Sequence, residues 1–356
     1  MEESLRKRRP RYGGRNPRRF EEKYKERDPA RYPETVAKVV ASGKTPAGTH
    51  RPILVAEVLE ALRPAPGLVA VDATLGFGGH AEALLPLLLP GGRLVGLDAD
   101  PVELPRTEAR LRALGWGGEV LTVRRSSFAG LPKVLAEEGL SRADLVLADL
   151  GVSSMQLDDP SRGFSFREDG PLDMRMNPTR GLPAKELLAR LDERRLAALL
   201  RDNSDEPHAE AIARALVAAR ERSPLATTLA LADAVRDGLA ALPERLREEE
   251  GDAPVRRTFQ ALRIEVNDEL GALRAFLSAL PSCLAPGGRV AVLTFHSGED
   301  RLVKKTIQSG ARAGLFSAWS REPVRPGPEE LRANSRARPA KLRWAVRAGT
   351  AGRPAS

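Results

Sequence analysis

Hydrophobic and polar positions alternate along the chain in a repeating order of short apolar runs and helical stretches. Leu68-Val69-Ala70-Val71-Asp72 is the first continuous apolar run, preceded by helical spacing from Ile53 to Leu62. A glycine-rich turn and a helix over Ala81–Leu89 follow, then a second run, Arg93-Leu94-Val95-Gly96-Leu97-Asp98. Helix Pro101–Leu114, strand Glu119–Val123, helix Phe128–Glu138 and strand Asp144-Leu145-Val146-Leu147-Ala148-Asp149 complete this half. Runs that are apolar throughout, rather than every second residue, predict strands buried on both faces of a parallel sheet. The rhythm breaks after Asp149. Residues 151–177 are polar and rich in turn formers, and 183–248 carry only helical periodicity, in pieces such as Ala184–Leu200, Ala209–Arg222 and Thr227–Leu242. It resumes with helix Asp268–Cys283, a Pro-Gly-Gly turn, strand Arg289–Phe295 and helix Glu299–Gln308. The last alternation, Lys341–Val346, reads as a terminal edge strand. The prediction is a doubly wound, Rossmann-like α/β sheet with an inserted all-helical domain. Its limits are a basic extension over 1–45, a sheet domain from 46–160 and 256–350, and the insert over 161–255.

Charge divides the chain in the same places. Residues 1–44 hold 14 Lys/Arg against 7 Asp/Glu, and 301–356 hold 13 against 3, whereas the body between them is mildly acidic. Basic ends on a globular body attract polyanions through counterion release. Residues 1–45 have few aliphatic positions and predict disorder, and they contain all three tyrosines, Tyr12, Tyr24 and Tyr32. At ~150 residues per domain, 356 residues predict about two domains. No run nears the ~18 apolar residues of a membrane span, the N-terminus lacks an apolar signal core, and a single cysteine excludes a disulfide framework. These features predict a cytoplasmic protein. The four histidines, His50, His80, His208 and His296, lack metal-ligand spacing, so no metal is expected.

The chemistry concentrates at the strand ends. Three strands close on an acid: Asp72, Asp98 and Asp149. After the first comes Gly76-Phe77-Gly78-Gly79-His80, where glycines let a backbone approach a cofactor closely. Asp98, twenty residues beyond Gly78, is placed to take both hydroxyls of a ribose. Two adenosine cofactors fit this pattern. A dinucleotide would set its pyrophosphate on the helix N-terminus. S-adenosylmethionine, a sulfonium cation with an amino-acid tail, would favour the carboxylate of Asp72, with Asp149 beside the reactive methyl. No acid/base suited to hydride transfer is evident, although an NAD-type oxidoreductase and a non-catalytic RNA-binding assembly factor remain the rival readings.

Five blocks narrow the choice: Gly76-Phe77-Gly78-Gly79-His80; Asp149-Leu150-Gly151-Val152-Ser153-Ser154-Met155-Gln156-Leu157-Asp158-Asp159; Arg162-Gly163-Phe164-Ser165-Phe166; Gly170-Pro171-Leu172-Asp173-Met174-Arg175-Met176; and Phe295-His296-Ser297 with Glu299-Asp300-Arg301. Together with Arg257–Ile264 and Asn334–Arg338, they resemble the bacterial 16S ribosomal RNA cytosine-N4 methyltransferase family, over about 300 residues. The resemblance implies a class I S-adenosylmethionine-dependent methyltransferase fold and methylation of the exocyclic amine of one cytidine in the decoding region of the small ribosomal subunit. It implies cofactor contacts at Gly78, Gly79, His80, Asp98, Phe128, Asp149 and Gln156. Asp149 is the candidate that orients the amine or accepts its proton. Phe295 could stack on the base and His296 hydrogen-bond it. Asp173 and Arg175 are candidates to meet RNA or cover the site, and Arg257 and Arg263 to meet phosphate. Cys283 lies far from every motif and reads as a packing residue, which disfavours methylation at cytosine C5 through a thiol nucleophile. One stretch departs from the family: Asn203–Glu210 stands where a Tyr-Gly-Glu-Glu-type segment precedes basic residues.

Overall fold

The computed structural model describes residues 52–349. The basic extension and His50 lie outside the described residues. Seven strands form one sheet: β1 (Val69–Asp72), β2 (Arg93–Asp98), β3 (Leu121–Arg125), β4 (Ala143–Asp149), β5 (Leu284–Thr294), β6 (Phe316–Trp319) and β7 (Lys341–Arg347), in the order β3-β2-β1-β4-β5-β7-β6. The first five are parallel, with Val71 opposite Val95 on one side and Val146 on the other. Strand order runs outward from β1 to β3, then jumps back to β4. The crevice above β1 and β4 is therefore the switch point, where ligands enter such sheets.

Alternate residues of each strand feed opposite cores. Ala70, Leu94, Leu145 and Leu293 pack beneath α1 (Val55–Leu62), α2 (Gly79–Leu88) and α3 (Glu103–Ala113). Val71, Val95, Val146 and Val292 pack beneath α4 (Leu131–Glu137), α12 (Glu269–Cys283) and α13 (Ser297–Arg312). With both faces covered, each fully buried leucine contributes about 2 kcal/mol of transfer free energy, which is why these strands tolerate no polar face. Cys283 belongs to the second of these cores.

Lys341–Val346 is not the edge. β7 lies between β5 and β6, antiparallel to both. Its charged residues suggested exposure, but Arg343 is buried and donates through Nε to Asp300 Oδ1 of α13 at 2.5 Å, while Lys341 Nζ reaches the other oxygen at 3.1 Å. The true edge, β6, has four residues, two of them exposed, and is too short to show a period.

Between β4 and β5 the chain is helical: α5 (Ser154–Asp158), α6 (Ala184–Arg190), α7 (Glu193–Ser204), α8 (Ala209–Arg222), α9 (Thr228–Gly238), α10 (Glu244–Glu250) and α11 (Ala253–Asn267), then α12 leading back to the sheet. A separate core running from Phe164 to Leu262 unites α6 to α9 with α11. The predicted helix Ala184–Leu200 divides in two because Asp192, in extended backbone, caps α7 through the Arg195 N–H at 2.7 Å. Asp268 similarly separates α11 from α12 by turning left-handed at φ 48°.

Candidate active site

The turn after β1 is shaped by backbone constraints. Gly76 and Gly78 adopt left-handed conformations, at φ 50° and 84°, which cost a side-chain-bearing residue about 1–2 kcal/mol. α2 begins at Gly79, where a Cβ would stand 2.9 Å from Pro52 Cγ. The carbonyls of the turn are held from α3: Thr107 Oγ1 donates to Gly76 O at 2.6 Å and Arg110 Nη2 to Phe77 O at 2.7 Å. The Gly76 N–H donates to Asp98 Oδ2 at 2.8 Å, which draws the ends of β1 and β2 together.

Three carboxylates meet above this turn without a lysine or arginine among the described residues to pair them. Asp72 is buried, and burial pushes its carboxyl up to about 6, with Asp149 and Asp98 adding repulsion against His80 and the Thr74 N–H. Burial pushes Asp149 up to about 7, with the charge of Glu299 adding to it. Burial raises Asp98 as well, against the N–H groups of Asp100 and Gly76. Asp149 Oδ1 is buried and has no hydrogen-bond partner. Its Oδ2 lies 3.5 Å from His80 Nδ1. His80 donates through Nε2 to the Ile53 carbonyl at 3.0 Å, and burial holds its pKa below the ordinary value. A pocket lined by desolvated carboxylates with no lysine or arginine beside them among the described residues is complementary to a cationic ligand. The sulfonium and ammonium groups of S-adenosylmethionine meet that requirement, and the pyrophosphate of a dinucleotide would be repelled.

The remaining predicted residues fall into distinct settings. Phe128 begins a 3₁₀ turn after β3 and packs edge-on against Phe276, centroids 5.7 Å apart. Gln156 is buried, with its Oε1 accepting the Ser153 N–H and its Nε2 donating to Asp100. Phe295 lies against the loop after β4: its Cδ2 is 3.7 Å from the position of a Cβ on Gly151. His296 caps α13, its Nε2 3.3 Å from Glu299 Oε1. Burial would raise Glu299, but His296 and Arg263 outweigh it and hold the carboxylate low. Glu269, His296 and Glu299 bring ligand-type atoms within 4.8 Å of one another, yet both Glu269 oxygens already accept from Arg263, at 2.7 and 2.8 Å. Arg257 is likewise engaged, by Glu206 at 2.6 Å and Glu250 at 2.8 Å. Asp173 and Arg175 pair with each other through two hydrogen bonds, of 2.8 and 2.7 Å. The divergent segment is a joint: Asp205 ends α7 at φ 50° and accepts from Ser297 of α13 at 2.6 Å.

Asp100, Glu269 and Asn267 were not apparent from the sequence. Asp100 carries a faint signal, a second acid two residues after a strand-end acid. The other two have none: Asn267 finds its partners in the distant Met174–Met176 segment, and Glu269 meets Arg263 only because the chain turns left-handed at Asp268 between them.

A parallel sheet with acids at the tips of β1, β2 and β4, a glycine turn before α2 and an antiparallel β7 beside β5 defines an S-adenosylmethionine-dependent methyltransferase. One solved structure, a SAM-dependent O-methyltransferase from Thermotoga maritima, overlays with a TM-score of 0.37 at 11% identity, over 84% of this chain and 66% of that one. Residues 47–348 match the MraW methylase family. Ribosomal RNA small subunit methyltransferase H 1 of Lachnoclostridium phytofermentans is 49% identical over 98% of this chain and 94% of its own length. Ribosomal RNA small subunit methyltransferase H of an Anaeromyxobacter species is 45% identical over 83% and 96%. The chain belongs to the MraW methylase family.

Proposed function

We propose that this enzyme transfers a methyl group from S-adenosylmethionine to the small-subunit ribosomal RNA, at the N4 amine of a cytidine in the decoding region. The activity named for its relatives and the motif blocks around Asp149 and Phe295 support the substrate. The observation that carries the chemistry is the buried, unpartnered Oδ1 of Asp149 beside Asp72 and Asp98.

The bound cofactor supplies an electrophilic methyl on a sulfonium. Asp98 would hold the ribose hydroxyls and Asp72 the ammonium end, with the Gly78-Gly79-His80 turn and Phe128 bordering the rest. The N4 lone pair of cytosine is delocalised into the ring, so Asp149 must accept an N–H hydrogen bond and concentrate that lone pair toward the methyl. Phe295 supports the base and keeps water out. The N4 proton can settle on Asp149, whose desolvated carboxyl binds it readily and whose Oδ2 lies 3.5 Å from His80 Nδ1. Residues 161–255 form the RNA-recognition domain, with the Asp173–Arg175 turn facing substrate. Arg257 and Arg263 support that surface from within, since their guanidinium groups are held by carboxylates. No helix among the described residues is long and apolar enough to cross a membrane, and we place the enzyme in the cytoplasm with its ribosomal substrate.

Mass spectrometry of 16S RNA from cells with and without the gene tests this reading. Loss of N4-methylcytidine, restored by the wild-type gene and not by Asp149→Ala, is the expected result. Restoration by Asp149→Ala would favour a non-catalytic role in assembly, and unchanged RNA would overturn the assignment.

A further inference from the structure

Asp100 is a buried carboxylate whose hydrogen bonds join three segments. Its Oδ1 accepts the N–H groups of Val102 at 2.8 Å and Glu103 at 3.2 Å. Its Oδ2 accepts Gln156 Nε2 at 2.8 Å and Arg162 Nη1 at 2.9 Å. Its own N–H donates to Asp98 Oδ1 at 2.9 Å, so the acid assigned to the ribose is bonded directly to this hub. Arg162, also buried, continues the chain: its Nη2 donates to the carbonyls of Arg175 at 3.1 Å and Met176 at 2.9 Å, and its own carbonyl accepts the Met174 N–H at 3.0 Å.

The segment it grips is strained. Met174 is a fully buried, non-glycine residue in left-handed backbone at φ 62°. Such a conformation persists only where its surroundings over-determine it, and it concentrates at working sites. Here Arg162 holds one side, and Asn267, the last residue of α11, holds the other. Asn267 Oδ1 accepts the Met176 N–H at 2.7 Å, and its Nδ2 donates to Met174 O at 2.8 Å. The strained residue sits between Asp173 and Arg175, whose mutually paired charges form the polar tip of the turn.

We propose that Arg162, anchored on Asp100, is a positioning residue for methyl transfer: it fixes the Asp173–Met176 turn relative to the cofactor acids, so that a nucleotide docked on the turn is aligned with the donor methyl. This rests on the reading that Asp98 holds the cofactor and the turn faces RNA. Alignment is worth orders of magnitude in rate, and small misplacements are felt in kcat. An ion pair alone could come from lysine, but Arg162 reaches Asp100 from Nη1 and the two carbonyls from Nη2, a division between two nitrogens that a single ammonium nitrogen does not offer.

The test is Arg162→Lys, with unmodified small ribosomal subunits as substrate. S-adenosylmethionine affinity by calorimetry should stay within about threefold of wild type, while kcat falls at least about thirtyfold per folded molecule. Asn267→Ala, which frees the same turn from the opposite side and leaves the ion pair intact, should show the same split and decides the matter if Arg162→Lys fails to fold. Wild-type kcat in the folded lysine variant overturns the proposal. So does a fall in activity that only tracks the loss of folded protein. Asp98→Ala separates the underlying reading: wild-type cofactor affinity in that variant would remove Asp98 from the cofactor site, whatever the lysine variant does.

Discussion

Asp149 and Asp72 are acids kept where burial disfavours their charged forms. With folded values of about 7 and 6 against an ordinary 3.8, the folded chain binds more protons than the unfolded chain between these limits. The stability this confers is therefore present at acid pH and lost as pH rises through 6 to 7. The melting temperature of the cofactor-free protein should fall between pH 5 and pH 8, and Asp149→Asn should flatten that fall. In the proposed reading cofactor binding has the opposite dependence, because the cation competes with the proton for these acids. Its affinity should weaken toward tenfold per unit as pH drops below 7, with proton release visible by calorimetry in buffers of different ionisation enthalpy. Arg263 provides a contrast. Its ion pair with Glu269 is largely buried, so Arg263→Ala strands a carboxylate and should cost about 3 kcal/mol in urea unfolding. A residue that only touched phosphate would instead change the salt dependence of RNA binding. The sequence marked Asp149 because it ends an apolar run. It could not mark the pairing of Arg263, since an arginine on a helix looks the same whether it faces RNA or a carboxylate at the start of the next helix.

At the scale of elements, most boundaries follow from local causes. The glycine turn before α2 and the strands β1 to β4 were readable because period and turn chemistry act over a few residues. The connection from Pro160 to Met176 was not, because its conformation depends on contacts across the insert. Gly163 shows this: at φ 74° it is left-handed, and an added Cβ would meet the Pro171 carbonyl and stand 2.8 Å from the Asp173 nitrogen. Gly163→Ala should therefore destabilise the chain by about 2 kcal/mol or more from strain and overlap. Activity should fall further than the melting temperature, because the displaced segment is the turn that carries Asp173 and Arg175. Thermal unfolding and methyl-transfer assays on the same preparation check both effects.

For the whole molecule, the controlling feature is the separation of an acidic body from basic ends. Residues 1–44 carry a net charge of +7, ahead of a catalytic body whose pocket is itself anionic. Each phosphate neutralised steepens the salt dependence of RNA binding. Removing residues 1–44 should weaken binding to ribosomal RNA and flatten its dependence on salt, with cofactor affinity unchanged. Identical affinities across a salt series would assign no RNA contact to the extension. The insert keeps a core of its own beside the two cores of the sheet, and Arg162, bonded to Asp100 on one side and to the carbonyls of Arg175 and Met176 on the other, ties the two parts together.

The sequence by itself determined the alternation of strands and helices, the acids at the strand tips, the glycine turn and the helical interruption after β4. Each is a matter of period or local backbone chemistry. Only the tertiary structure decided that β7 lies inside the sheet, that Arg257 and Arg263 are bound to carboxylates, and that Asp100, Arg162 and Asn267 grip a strained turn. Those outcomes depend on residues such as Asp100 and Arg162, 62 positions apart, finding each other on burial. A buried charge must be paired wherever the fold supplies a partner, and one chain read in order does not show where that partner will be.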